Sequence, residues 1–247
     1  MVIPTDSERT PLIGVTADIE ASPQGKPPRP FYVLDSRTFD ALRVAGAAAV
    51  ILPHEIDMIP RYLKSLDGIV VSGGGYQFPH PELFGEGADG SDSPEKLQRA
   101  AFERALIVAA IEADMPLLGV CGGFQLMNAV CGGKLIVSLA ASRPSSIQHR
   151  QTESYAQGTH TVRAEPDSDF ARWFGPQPAL VNSKHSQGVI EVGPRARVAA
   201  RAPDDLVEAI EVPQRRFALG VQWHPEFHVT PSDNLIFERF VEAARRR

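Results

Sequence analysis

Cysteine is the strongest nucleophile among the side chains, and one of the chain's two cysteines has an unusual setting. In Gly119-Val120-Cys121-Gly122-Gly123 the thiol lies between glycines. There the apolar run "PLLGV" gives way to the helical spacing of "FQLMNAV". A Gly-x-nucleophile-x-Gly turn between strand and helix holds its nucleophile in strained backbone geometry, and only small neighbours fit around it. The helix N-terminus favours thiolate, and the N–H of Gly122 can point at a developing oxyanion. Such a thiol attacks a carbonyl carbon. The same pattern also suits a cysteine that is only a small buried hydrophobe. Cys131, in "NAVCGGK", lies too far along the helix to bridge to Cys121 and reads as a helix-end packing residue.

A thiol nucleophile needs a base, and the base needs an orienter. "GVQWHPE" (220–226) offers both. His224 and Glu226 follow a strand, with Pro225 fixing the backbone between them. Alternation on an extended segment puts both side chains on one side. Glu226 can then hold the imidazole while His224 faces the thiol. The alternative is a structural turn carrying a solvated histidine. A further histidine, His185, lies in "NSKHSQG", a polar, glycine-bounded segment that suits a loop near a ligand; the alternative there is a turn residue. His54, His80, His149, His160 and His228 read as surface or structural groups, with His228 near enough in sequence to line the same pocket. No Cys/His grouping has metal-ligand spacing, so neither metal nor cofactor is expected.

Short β-rich runs alternate with helical patterns through the first half. "PLIGVTAD" (11–18), "AAVILP" (48–53), "DGIVVSGGG" (67–75) and "MPLLGV" (115–120) read as strands. "SRTFDALRVAGA" (36–47), "IPRYLKSL" (59–66) and "SPEKLQRAAFERALIVAAIEAD" (93–114) read as helices, the last with Ser93 as N-cap and Pro94 in its first turn. This β-α-β-α order implies a parallel sheet covered on both faces, with sites beyond the carboxyl ends of its strands. Cys121 and Gly73–Gly75 fall at such ends. In the second half "GTHTVRAE", "ARVAARAP", "LVEAIEV" and "FALGVQW" read as short strands of an antiparallel extension, and "SDNLIFERFVEAARRR" closes the chain as an amphipathic helix. Proline- or glycine-rich loops occupy 23–30 and 85–93. No linker divides the 247 residues, so one domain over 1–247 is expected.

The elbow with Gln125, "SGGG" (72–75) and "GVQWHPE" resemble the class I glutamine amidotransferase-like superfamily. "PELFGEG" (81–87), "VNSKHSQGV" (181–189), "APDDLVEAIEV" (202–212) and "FALGVQWHPEF" (217–227) narrow the resemblance to the γ-glutamyl-γ-aminobutyrate hydrolases of the peptidase C26 group. It extends from about Leu12 to Phe240 and implies a flavodoxin-like α/β fold. By that resemblance Cys121 is the nucleophile, His224 the base and Glu226 its orienter. Gly74 and Gly122 match the oxyanion-hole positions. Gln125, His185, Ser186 and Gln187 match positions lining the glutamyl pocket. The implied partner is a small γ-glutamyl amide, in putrescine breakdown.

Three positions depart from that pattern. Gly122 stands where these hydrolases usually carry arginine, Tyr76 where an acid is common, and a frequent tyrosine is replaced near Thr38. Loss of a cation at Gly122 is expected to favour amides whose amine half is not an acid, such as γ-glutamyl polyamines. Two other functions share these features: a glutaminase handing ammonia to a synthase, and a non-catalytic binding protein on the same fold. "SGGGYQ" is not Gly-x-Gly-x-x-Gly, which weakens a nucleotide-binding reading.

Composition narrows the setting. Net charge is −5 without a basic block, which gives nucleic-acid binding no support. The only basic cluster is Arg245–Arg247. No apolar run approaches a membrane span, and the first residues, "MVIPTDSERTP", carry no signal-like apolar region. Two cysteines cannot form a disulfide framework, so a reducing, cytoplasmic setting is expected. The sequence leaves a homodimer open.

Overall fold

The computed structural model describes residues 9–21, 29–74, 94–136 and 138–246. Gly75, Tyr76, His80, "PELFGEG", Ser93 and most of the 23–30 loop lie outside them. The strands are β1 (Leu12–Val15), β2 (Asp18–Ala21), β3 (Pro30–Val33), β4 (Ala48–Ile51), β5 (Gly68–Val71), β6 (Leu117–Val120), β7 (Lys134–Ile136), β8 (His160–Ala164), β9 (Ala179–Val181), β10 (Gly188–Glu191), β11 (Arg197–Arg201), β12 (Val207–Glu211) and β13 (Ala218–Val221). The helices are α1 (Ser36–Val44), α2 (Ile59–Ser65), α3 (Pro94–Glu112), α4 (Gly122–Val130), α5 (Leu139–Ser142), α6 (Asp169–Phe174) and α7 (Pro231–Arg245), with 3₁₀ turns at Ile56–Met58 and Pro225–Phe227.

The main sheet runs β4-β1-β5-β6-β13-β12-β11-β8-β9. From β4 to β13 each neighbouring pair is parallel; from β13 to β9 each is antiparallel. The expected fold class, a mostly parallel open sheet with helices on both faces and an antiparallel extension, is the one observed. One strand changes sides. β13, expected in the antiparallel part, joins the parallel block beside β6, because both its edges find partners: β6 on one side, β12 on the other. The short strands β7, β9 and β10 and the separate β2–β3 pair were not anticipated.

Alternation splits the parallel strands between two cores. Val70, Leu118 and Leu219 face a layer built with Ile236, Phe237, Phe240 and Val241 of α7. Ile69, Val71 and Leu117 face one built with Phe102, Leu106 and Ile107 of α3 and Phe124 of α4. Each such aliphatic side chain contributes roughly 1.5–3 kcal/mol on burial. In α3 the buried positions are Arg99, Phe102, Glu103, Leu106, Ile107, Ala110 and Ile111, one stripe at helical spacing. Two of them are charged, and both bear on the site below. No helix among the described residues is long and apolar enough to cross a membrane.

Candidate active site

Three adjacent parallel strands deliver the site. β5 ends in Ser72-Gly73-Gly74, β6 in Cys121, and β13 in Gln222-Trp223-His224. Gly119 and Val120 of β6 pair with Gly220 and Val221 of β13, and Cys121 N–H donates to the Val221 carbonyl at 2.8 Å. The thiol and the imidazole therefore emerge side by side at the carboxyl edge of the sheet.

Cys121 has φ 51° and ψ −103°, a backbone conformation uncommon for a residue with a Cβ. It is the N-cap of α4, and Gly122 is the first helical residue, whose N–H has no acceptor within the helix. The turn is possible because a Cβ at Gly123 would overlap the Val71 carbonyl of β5. The opposite wall is just as close. A Cβ at Gly73 would stand 2.9 Å from His224 Cε1 and 3.4 Å from Cys121 Cβ. Cys131 is the C-cap of α4, buried in the core as a packing residue, and burial pushes its thiol up.

His224 Nδ1 lies 2.7 Å from Glu226 Oε1. The pair is close because residues 225–227 form a 3₁₀ turn with His224 at its N-cap. The extended alternation expected from sequence is absent, and the turn does its work. Burial alone would strip the proton from His224. Its pKa nonetheless stands well above imidazole's ordinary value, because the Glu226 carboxylate and then the Cys121 sulfur stabilise the charged ring. His228 does not join them. It is exposed, with φ 53°, and meets Asn234 through Nδ1.

Two positioning residues escaped the sequence reading. Asn182, buried just after β9, accepts the His224 N–H at 2.8 Å and donates to the His224 carbonyl at 3.0 Å. A lone asparagine after a short strand carries no local signal of such a clamp. Buried Arg99 donates from Nη2 to the carbonyls of Ser72 (3.3 Å) and Gly73 (3.1 Å). Its Nε meets Glu103 at 3.0 Å and its Nη1 meets Asp18 at 2.9 Å. Arg99 thus holds the turn that carries Gly74. Its signal was legible: two charges one helical turn apart on an otherwise apolar stripe.

The residues matched to the glutamyl pocket are placed unevenly. Gln125 is buried on α4, donating to Gln222 Oε1 at 3.0 Å and to the Gln187 carbonyl at 3.3 Å. Ser186 is exposed, its Oγ accepting from Arg150 at 3.1 Å. The His185 ring is buried, with Nδ1 2.8 Å from the Gln187 carbonyl and Nε2 3.5 Å from Glu208 Oε1. His149 and His160 reach the same carboxylate. Their distance along the chain concealed this grouping from a search by spacing.

A parallel sheet with helices on both faces, an elbow cysteine at one strand end and a histidine–carboxylate pair at the next define a class I glutamine amidotransferase-like protein. The solved structures agree on the fold. A Trypanosoma brucei CTPS glutaminase domain with bound acivicin superposes with TM-score 0.60 at 17% identity, covering 96% of this chain and 95% of that one. A glutamine amidotransferase from Thermotoga maritima gives 0.55 at 17%, covering 88% and 77%. Within that class the chain belongs to the peptidase C26 family, whose profile matches residues 11–226. It is 34% identical over 224 residues to the γ-glutamyl-γ-aminobutyrate hydrolase of Escherichia coli O157:H7, covering 86% of each chain.

Proposed function

We propose that this protein hydrolyses γ-glutamyl amides through a thioester on Cys121. The observation that carries the proposal is the His224–Glu226 pair held beside an elbow cysteine at a helix N-terminus. Cys121 Sγ attacks the side-chain amide carbon of the γ-glutamyl group. The developing oxyanion is received by the N–H groups of Gly122 and Gly74. His224 gives its proton to the departing amine, leaving a γ-glutamyl thioester. Water then attacks the thioester. His224 takes its proton, and glutamate leaves as the thiolate returns. Glu226 orients the imidazole and stabilises its charged form. Gln125 and the 185–187 segment would line the glutamyl pocket, held together at the Gln187 carbonyl by Gln125 and the His185 ring. Membership of peptidase C26 and the likeness to the E. coli hydrolase support the amide class; a place in the breakdown of γ-glutamylated amines in the cytoplasm is part of the same proposal.

The test is release of glutamate from a panel of γ-glutamyl amides: the γ-aminobutyrate conjugate, polyamine conjugates and glutamine. Rapid acid quenching and mass spectrometry should find a γ-glutamyl group on Cys121, and Cys121→Ala should fold normally, form no adduct and lack turnover. Turnover by Cys121→Ala above the uncatalysed rate would overturn the mechanism. A preference for glutamine would instead make the protein a glutaminase.

A further inference from the structure

Three histidines and a glutamate, from segments scattered between residues 149 and 208, converge on one point, and none of the four carries a step of the proposed chemistry. Glu208 points from β12 and is wholly buried, and the side chains of His149, His160 and His185 are 6%, 3% and 2% exposed. From Glu208 Oε1 the distances are 3.3 Å to His149 Nδ1, 3.6 Å to His160 Nε2 and 3.5 Å to His185 Nε2. Yet among the described residues none of these three nitrogens, nor either Glu208 oxygen, has an aligned hydrogen-bond partner. Buried polar atoms left so are costly and uncommon. Here several of them crowd one point.

We infer that this cluster is a binding site for one divalent transition-metal ion of the zinc class, held by His149, His160 and a Glu208 carboxylate oxygen, with His185 Nε2 standing 3.5 Å from the same carboxylate. Bonds of about 2.0–2.2 Å at tetrahedral angles set donor–donor separations of about 3.3–3.6 Å; the distances from Glu208 Oε1 to His149 and His160 are of that size. The ligating atoms of His149, His160 and Glu208 all lie within 4.8 Å of one another. Imidazole and carboxylate together suit zinc among the available metals. Ligand histidines use the second ring nitrogen to fix the tautomer; His149 and His185 have such outer contacts, and His160 Nδ1 has none among the described residues. His149 Nε2 lies 3.0 Å from Asp204 Oδ2, and His185 Nδ1 lies 2.8 Å from the Gln187 carbonyl. With protons on those outer nitrogens, the inner ones are lone-pair donors. Three protein ligands and full burial shut the site off from any substrate, which makes it structural. The ion would tie the stretch around His149, the first residue of β8 and β12 together. Through His185 and the Gln187 carbonyl it would also steady the loop that Gln125 grips.

The test uses untagged full-length protein, stripped with a chelator, loaded with Zn²⁺ or Co²⁺ and freed of excess by gel filtration. Wild type should retain one Zn²⁺ per chain, gain in Tm on loading, and show the visible bands of protein-bound Co²⁺. Glu208→Gln and His160→Ala should lose stoichiometric retention. Asp204→Asn keeps every ligand and should weaken binding about tenfold or more. Cys121→Ser should retain the ion, separating this site from the elbow thiol. If the ligand variants do not fold, the Co²⁺ spectrum of wild type and the Asp204→Asn affinity decide. A folded wild type that retains no stoichiometric metal overturns the inference, as does retention indifferent to both Glu208→Gln and Asp204→Asn.

Discussion

Replacing Glu226 with glutamine removes one charge and almost no volume, so it isolates what the carboxylate does for His224. The contact is 2.7 Å, between side chains only 14% and 8% exposed, so solvent screens it little. A hydrogen bond to a charged partner contributes about 1.5–3 kcal/mol. At 1.36 kcal/mol per factor of ten, kcat should fall about 10- to 150-fold. Glutamine can also turn its amide N–H toward Nδ1 and hold the ring in the wrong tautomer, which pushes the loss toward the upper end. His224→Ala, which deletes the proton carrier itself, should cost more. The pH profile adds a second reading. Glu226 is first among the groups raising the proton affinity of His224 against the effect of burial. Without it the imidazolium loses its proton at lower pH, so the alkaline limb of kcat/KM should move down. The assay is glutamate release from γ-glutamyl-γ-aminobutyrate across pH for wild type and both variants. An alkaline limb that stays in place, or a Glu226→Gln as inactive as His224→Ala, would refute an orienting role.

Asn182→Ala frees both backbone groups of His224 and should lower kcat by about 10- to 100-fold through misplacement of the imidazole, with KM moving less; an unchanged kcat would remove Asn182 from the site. Gly123→Ala drives a Cβ against the Val71 carbonyl and should cost about 1–3 kcal/mol, read as a drop in Tm of roughly 2–12 °C; an unshifted Tm would show that the turn has slack. Asp233, whose Oδ1 accepts from Trp223 Nε1 at 3.0 Å, is raised to about 7, chiefly by burial. The native state therefore holds a proton that the unfolded chain has released between about pH 4 and pH 7, and stability falls as pH rises through that window. Asp233→Asn should remove this slope, so urea unfolding at about pH 5 and about pH 8 should show the variant gaining on wild type at the higher pH; a constant gap would contradict the assignment.

What was legible in the sequence was local. The elbow announces itself because five consecutive residues carry its whole geometry, and α3 because its apolar stripe repeats over 19 residues. The strands β7, β9 and β10 have three or four residues each, too few for alternation to stand out. The position of β13 was hidden for another reason: whether a strand pairs parallel or antiparallel is decided by its neighbours. His224 and Glu226 were paired correctly as neighbours but through the wrong local geometry, since nothing in "WHPE" separates an extended segment from a 3₁₀ turn. The His–Glu cluster and the Asn182 clamp depend on contacts between residues tens of positions apart. Spacing rules see only ligands that lie close together along the chain.

The place of β13 between β6 and β12 has a consequence for how the protein comes into being. Among the described residues, the strand at the middle of the sheet comes last in chain order. Until it inserts, the parallel block ends at β6 and the antiparallel part at β12, each with an open edge. The two halves have no ladder joining them across that gap. Cys121 leaves the ribosome well before His224, so the thiol waits without the histidine proposed as its proton carrier while a hundred further residues, roughly, are added at about 5–20 residues per second. On the proposed mechanism the nascent chain is inactive in the same interval in which its open edges leave it prone to association. One event, the zipping of residues 218–221 between two waiting edges, ends both conditions together.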